Sequence, residues 1–139
     1  MKVVTDSVAI STRGRTDIID VTSQVTEVLA KSSLRNGMLT VFISGSTAGV
    51  TTIEYEPGLL KDLPEFFEKI APSGVRYHHD RTWGDGNGYA HVRAAFLGAS
   101  FSVPFVNGKM RLGTWQQIVL VDFDNRPRQR EVLVQMMGE

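Results

Sequence analysis

The chain has 139 residues, 42% hydrophobic and 22% charged, with fifteen Lys plus Arg, fifteen Asp plus Glu and no cysteine. A chain of this length builds one hydrophobic core, and its composition lies far from the polar, highly charged regime of disordered segments. Balanced charge leaves no net field to recruit nucleic acid or acidic membranes, and the lack of cysteine removes disulfides, thiolate nucleophiles and sulfur-ligated metal centres.

Met1 to Ile10 carries Lys2 and Asp6 and no long apolar run, and no stretch reaches eighteen apolar residues. Neither an export signal nor a membrane helix is expected, and the cytoplasm is the default compartment. No repeat or linker interrupts residues 1–139, which read as one domain. Val3–Ile10 is rich in β-formers. Val21, Val25, Val28 and Leu29 then recur at helical spacing, with Asn36-Gly37 as the stop signal. Met38–Ser44 alternates, with Leu39, Val41 and Ile43 on one side, and predicts a strand. Thr51–Tyr55 is also strand-like. Pro57 opens a second helical stretch in which Leu59, Leu63, Phe66, Phe67 and Ile70 share one face, and Pro64 is expected to kink or restart it.

Val75–Gly88 lacks periodicity and reads as a long irregular loop, a kind that is commonly functional in compact domains. Asn87 is a candidate N-cap for a short helix from Gly88 to Leu97, ended by Gly98. The remainder is β. Ser100–Val106 and Lys109–Leu112 flank Asn107-Gly108, whose residues tolerate the positive φ of a two-residue hairpin turn. Gln117–Phe123 and Glu131–Met137 flank Asp124-Asn125-Arg126-Pro127 as a second expected hairpin. About seven strands, mainly antiparallel, with two to three helices place the fold in the α+β class.

Candidate chemistry gathers around the long loop. His91 follows Asn87 by four residues, so both can lie on one helix face. His79 opens the loop, and a neutral imidazole suits a metal or a proton transfer near neutral pH. Gly84-Asp85-Gly86-Asn87-Gly88 feeding a helix is a candidate anion seat, to which Arg93 could add a bidentate contact. Thr47, in the flexible run Gly45-Ser46-Thr47-Ala48-Gly49, is a candidate for close approach to a ligand. Glu54 is the favoured carboxylate, and Mg²⁺ would need only one or two carboxylates beside water and phosphate. Trp115 and Gln116 read as packing residues.

Three stretches together resemble the YjbQ family. They are Ser46-Thr47-Ala48-Gly49-Val50-Thr51 with Glu54, then Tyr77 through His79 to Asn87, His91 and Arg93, and finally Ser100 through Gly108 to Gly113-Thr114-Trp115-Gln116. The resemblance implies a β-sandwich-like fold, a homotrimer, a cleft lined by His, Asn and Glu positions, and a weak thiamine-phosphate-synthase-like transfer. Gly45 and Tyr89 stand where the family usually has histidines, which leaves His79 and His91 as the metal candidates and puts the family's metal chemistry in question. The expected function is binding of a phosphorylated small molecule, with His79, His91 and Glu54 as catalytic candidates and Thr47, Asp85, Asn87 and Arg93 as ligand contacts. A divalent metal, Mg²⁺ or Zn²⁺, is an expected cofactor. The rival readings are a non-catalytic binding or interaction protein and a metal-dependent hydrolase.

Overall fold

The computed structural model describes residues 1–139. The elements are β1 (Lys2–Thr12), β2 (Asp17–Asp20), α1 (Thr22–Ser32), β3 (Gly37–Ile43), β4 (Ala48–Ile53), α2 (Leu59–Ile70), α3 (His78–Trp83), α4 (Gly88–Leu97), β5 (Ser100–Val106), β6 (Lys109–Met110), β7 (Gln117–Asp122) and β8 (Arg128–Gly138). All pairings are antiparallel, in one sheet ordered β1-β8-β3-β5-β6 and another ordered β2-β7-β4. The fold is the expected α+β sandwich.

Patterning explains the layers. Leu39, Val41 and Ile43 are fully buried while Met38 and Phe42 on the opposite face of β3 are exposed, as a period of two requires. They join the larger core, which holds the inner faces of both sheets together with Val25, Val28 and Leu29 of α1. β7 is apolar from Ile118 to Val121 because both its faces are covered. Ile118 and Leu120 enter the larger core, while Val119 and Val121 pack with Phe67 of α2 and Tyr89, Ala90 and Ala94 of α4. Each fully buried side chain of this size contributes roughly 1.5–3 kcal/mol. The β5–β6 hairpin forms as expected, with Asn107 and Gly108 at φ 54° and 74°.

Several expectations are corrected. α1 stops before Asn36-Gly37, because Ser33 takes the left-handed conformation at φ 60°. Pro64 sits inside α2 without ending it, and Phe67, edge-on to Phe123 at 4.8 Å, supplies the tertiary packing that holds the helix together. Residues 75–88 are not all irregular, since α3 occupies their centre. The Asp80 carboxylate accepts the Tyr77 N–H at 3.0 Å to start that helix, and Gly84 at φ 66° ends it. β7 and β8 are not a hairpin. The Asp124–Pro127 turn carries the chain from the small sheet to the large one. Val103 and Phe105, 3% and 1% exposed, belong to the chain's own core.

Candidate functional site

The turn between the sheets brings together charged residues from its own start and from the two strands that flank it. Asp122 ends β7, Asp124 follows two residues later, and Arg128 and Arg130 open β8 on one face. Arg130 donates from Nε to Asp122 Oδ2 at 2.8 Å and from Nη2 to Asp122 Oδ1 at 2.9 Å, and Nη2 also reaches Thr47 Oγ1 at 2.7 Å. Arg128 donates from Nε and Nη2 to Asp124 Oδ2 at 3.0 and 2.8 Å. The Thr47 hydroxyl donates to the same Asp124 oxygen at 2.9 Å, and Thr12 donates to Asp122 Oδ2 at 2.6 Å. Both aspartates are wholly buried. Burial pushes the Asp124 carboxyl up, but the Thr47 and Arg128 contacts outweigh it and hold the group below the usual carboxylate range.

Opposite this floor stand α3 and the start of α4. The His79 and His91 rings lie 4.1 Å apart between centroids, tilted by 36°. Burial, followed by the charge of His79, lowers the His91 pKa, which favours neutral imidazole at that position. Asn87 is buried, and its amide, oriented with nitrogen toward Asp85, donates to both carboxylate oxygens at 2.9 and 3.0 Å. Asn125 of the inter-sheet turn donates to the Asp85 carbonyl at 2.8 Å and ties the two walls together. The resulting cleft has a volume of about 440 Å³, is open to solvent, and is also lined by Gly45, Ser46 and Trp83.

His79, His91, Asp85, Asn87 and Thr47 therefore converge as the sequence suggests. Glu54 and Arg93 do not join them. β4 runs from the cleft at Thr47 to Glu54 at its far end, roughly 20 Å of extended chain. There Glu54 lines a separate pocket with Asp20, Tyr55, Glu56 and Trp115. Arg93 is 3% exposed. It donates to the Ala71 carbonyl at 2.9 Å, to Thr16 Oγ1 at 2.9 Å and to Glu68 at 2.6 Å, and it stacks on Tyr89. It is a structural bolt.

The glycine-rich loop is no anion seat either. The Gly88 N–H is taken by Asp80 Oδ1 at 3.0 Å, Asp85 lies alongside, and Asn87 faces Asp85 instead of capping α4 with its side chain. Tyr89 is buried in the second core, because residues two apart on a helix project to nearly opposite sides and His91 takes the cleft side. Trp115 is 71% exposed, so packing is not its role within one chain, and Gln116 bonds Thr52 and Gly113 instead.

Sequence reasoning missed Asp122, Asp124, Arg128 and Arg130. Their signal was the i, i+2 repeat of like residues on either side of a turn, which places each pair on one strand face.

The residues present fit a divalent cation. His79 Nδ1 is buried without a hydrogen-bond partner, 3.7 Å from Asp85 Oδ1 and 3.9 Å from Asp80 Oδ1. Those separations are too long for hydrogen bonds, yet they approach the spacing of two donors sharing one ion at about 2.1 Å each. The donors that gather are His79, Asp80 and Asp85, without His91.

The family model described as UPF0047 protein YjbQ-like matches residues 6–139. A UPF0047 protein of Methanothermobacter thermautotrophicus is 40% identical over 139 residues, covering 100% of this chain and 95% of its own length. One from Archaeoglobus fulgidus is 41% identical over 128 residues, 92% of this chain and 97% of its own. The crystal structure of a protein of unknown function from Sulfolobus solfataricus superposes with a TM-score of 0.94 at 34% identity, covering 99% of each chain. A hypothetical protein from Aeropyrum pernix gives 0.90 at 36% identity, over 97% of this chain and 98% of its own. On these matches, spanning nearly the whole chain in both sequence and structure, the chain belongs to the YjbQ-like UPF0047 family.

Proposed function

We propose that the cleft binds a small phosphorylated molecule together with a divalent cation, Mg²⁺ or Zn²⁺, seated at His79 and Asp85. The observation that carries this reading is the buried, unpartnered Nδ1 of His79 facing two carboxylates in a cleft whose other wall is built from guanidinium groups. Asp80 spends both oxygens on the Tyr77 and Gly88 N–H groups and fixes α3, leaving Asp85, oriented by the Asn87 amide, as the carboxylate not bound by backbone N–H groups. The bound cation supplies charge neutralisation for phosphoryl oxygens. Neutral His91 beside it is suited to accept a proton.

A transfer of the thiamine-phosphate-synthase type, implied by the family resemblance, displaces pyrophosphate, and this cleft is a setting for that leaving group. Binding without turnover is the second reading, and one observation favours it. The Thr47 hydroxyl, the buried hydroxyl of the cleft, is already committed to Asp124 and Arg130, and the Asp124 carboxylate that accepts its proton is held below the usual range, which makes it a poor base. We place the protein in the cytoplasm as a homotrimer. The exposed apolar residues of the large sheet, Met38, Phe42, Val106 and Met137, offer a face for self-association, and no helix is long and apolar enough to cross a membrane.

Calorimetric titration with MgCl₂ and ZnCl₂ tests the cation. Wild type should bind one ion per chain, while His79→Ala and Asp85→Asn should each weaken binding by about tenfold or more. Wild-type affinity in both variants would overturn the assignment.

A further inference from the structure

The cleft floor contains two arginines whose bonding is incomplete in the same way. Arg130 spends Nε and Nη2 on Asp122 and Thr47, and Arg128 spends Nε and Nη2 on Asp124. Neither Nη1 has a partner in the chain, and neither is among the buried unsatisfied atoms, so both remain open to solvent with two N–H groups each. The inner edges are held by two wholly buried carboxylates, which fixes the direction of the outer edges. Side-chain entropy normally lost when an arginine grips a ligand has thus been lost already in folding.

Gly45 decides whether that outer edge is reachable. It stands at φ +136°, and a Cβ built on it would lie 3.1 Å from Arg130 Nη1. A side chain there would crowd Nη1 and force the guanidinium to shift by a few tenths of an ångström.

We infer that Arg128 Nη1 and Arg130 Nη1 form the seat for a phosphoryl group, that Gly45 keeps this seat open, and that the seat fills only when a divalent cation is present. The inference rests on the cation site proposed above and deepens it by naming what binds the other end of the ligand. The cation requirement follows from charge. Asp122 and Asp124 already balance the two guanidinium groups, and Asp85 in the opposite wall, with Asp80 behind it beside His79, adds negative charge, so a dianion entering alone meets donors but no net positive field. A cation at His79 and Asp85 reverses that balance. Cation and phosphoryl ligand must then strengthen each other by the same factor, since coupling between two sites is reciprocal. The ligand class is a phosphate monoester or pyrophosphate. A monocarboxylate, with two oxygens, presents too few to span two guanidinium edges and an ion.

Titration of wild type with pyrophosphate, with and without saturating MgCl₂, reads the coupling. Affinity should rise at least about tenfold with the ion, and acetate should show no such gain. Arg128→Lys keeps a cation beside Asp124 but removes Nη1, and should lose about tenfold in pyrophosphate affinity at unchanged Mg²⁺ affinity. Gly45→Ala should lose a similar factor, and its melting temperature shows separately whether strain has unfolded it. Undiminished pyrophosphate binding by a folded Arg128→Lys and a folded Gly45→Ala would overturn the seat while leaving the cation site standing. Equal pyrophosphate affinity with and without Mg²⁺ would overturn the coupling. A wild type that binds neither ion nor pyrophosphate would overturn both the seat and the proposed function.

Discussion

Arg93 and Arg130 are both arginines bonded to a carboxylate, yet one is structure and the other faces a ligand cleft. At the junction of α2 and α4, Arg93 commits all three nitrogens, to a backbone carbonyl, a threonine and a glutamate, with a tyrosine ring against its face. At the seam between the sheets, Arg130 commits two and leaves Nη1 toward the cleft. Burial is therefore a poor guide to role, since they are 3% and 10% exposed in the side chain. The useful measure is the number of donors left unspent, because a guanidinium with an empty edge can still recognise an anion and one without cannot.

The largest effect that bears on this comparison is expected from Arg130→Met. It leaves the wholly buried Asp122 without its bidentate partner, and loss of one member of such a pair costs about 3–5 kcal/mol. Urea unfolding should show this loss, and any folded fraction should fail to bind pyrophosphate. Arg93→Met should cost less, about 2–3 kcal/mol, because Glu68 is half exposed and can turn to water while the Ala71 carbonyl and Thr16 lose their donor. Its Mg²⁺ and pyrophosphate affinities should match wild type. A selective loss of ligand binding in a stable Arg93→Met would break the distinction.

A smaller effect is expected from pH. The folded-state pKa of His91 is lowered, chiefly by burial, so between that value and its ordinary 6.5 the unfolded chain binds more protons than the folded one. Its contribution to stability is complete above 6.5 and is lost as the pH falls through the folded value. With chelator present, the drop in melting temperature between about pH 7.5 and 5.5 should be smaller in His91→Gln than in wild type. An unchanged drop would show that the cleft wall is wetter than its geometry implies. The smallest effect belongs to Trp115→Ala, which at 71% exposure should change chain stability by no more than about 0.5 kcal/mol.

Local signals in the sequence determined most of the elements. The alternation of Leu39, Val41 and Ile43, the helical spacing of Val21, Val25, Val28 and Leu29, and the Asn107-Gly108 turn each follow from the period of one element or the dihedrals of one or two residues. Half the cleft was legible for the same reason, since Asp85, Asn87 and His91 lie within seven residues and one helix start brings them together. α3 escaped notice because six residues are too few to show periodicity, leaving Asp80 and Gly84 as its faint markers.

Only the tertiary structure decided the rest. Whether the strands flanking Asp124–Pro127 pair with each other or part into two sheets depends on what else each can pair with, and that is a property of β1, β2, β3 and β4 together. The parting of β7 and β8 creates the seam, and the seam gathers Asp122, Asp124, Arg128 and Arg130 against Thr47. The same logic sent Arg93 inward and Glu54 to the far end of β4, because a side chain's role follows from which groups its fold sets within hydrogen-bonding reach, and residues distant in sequence supply most of those.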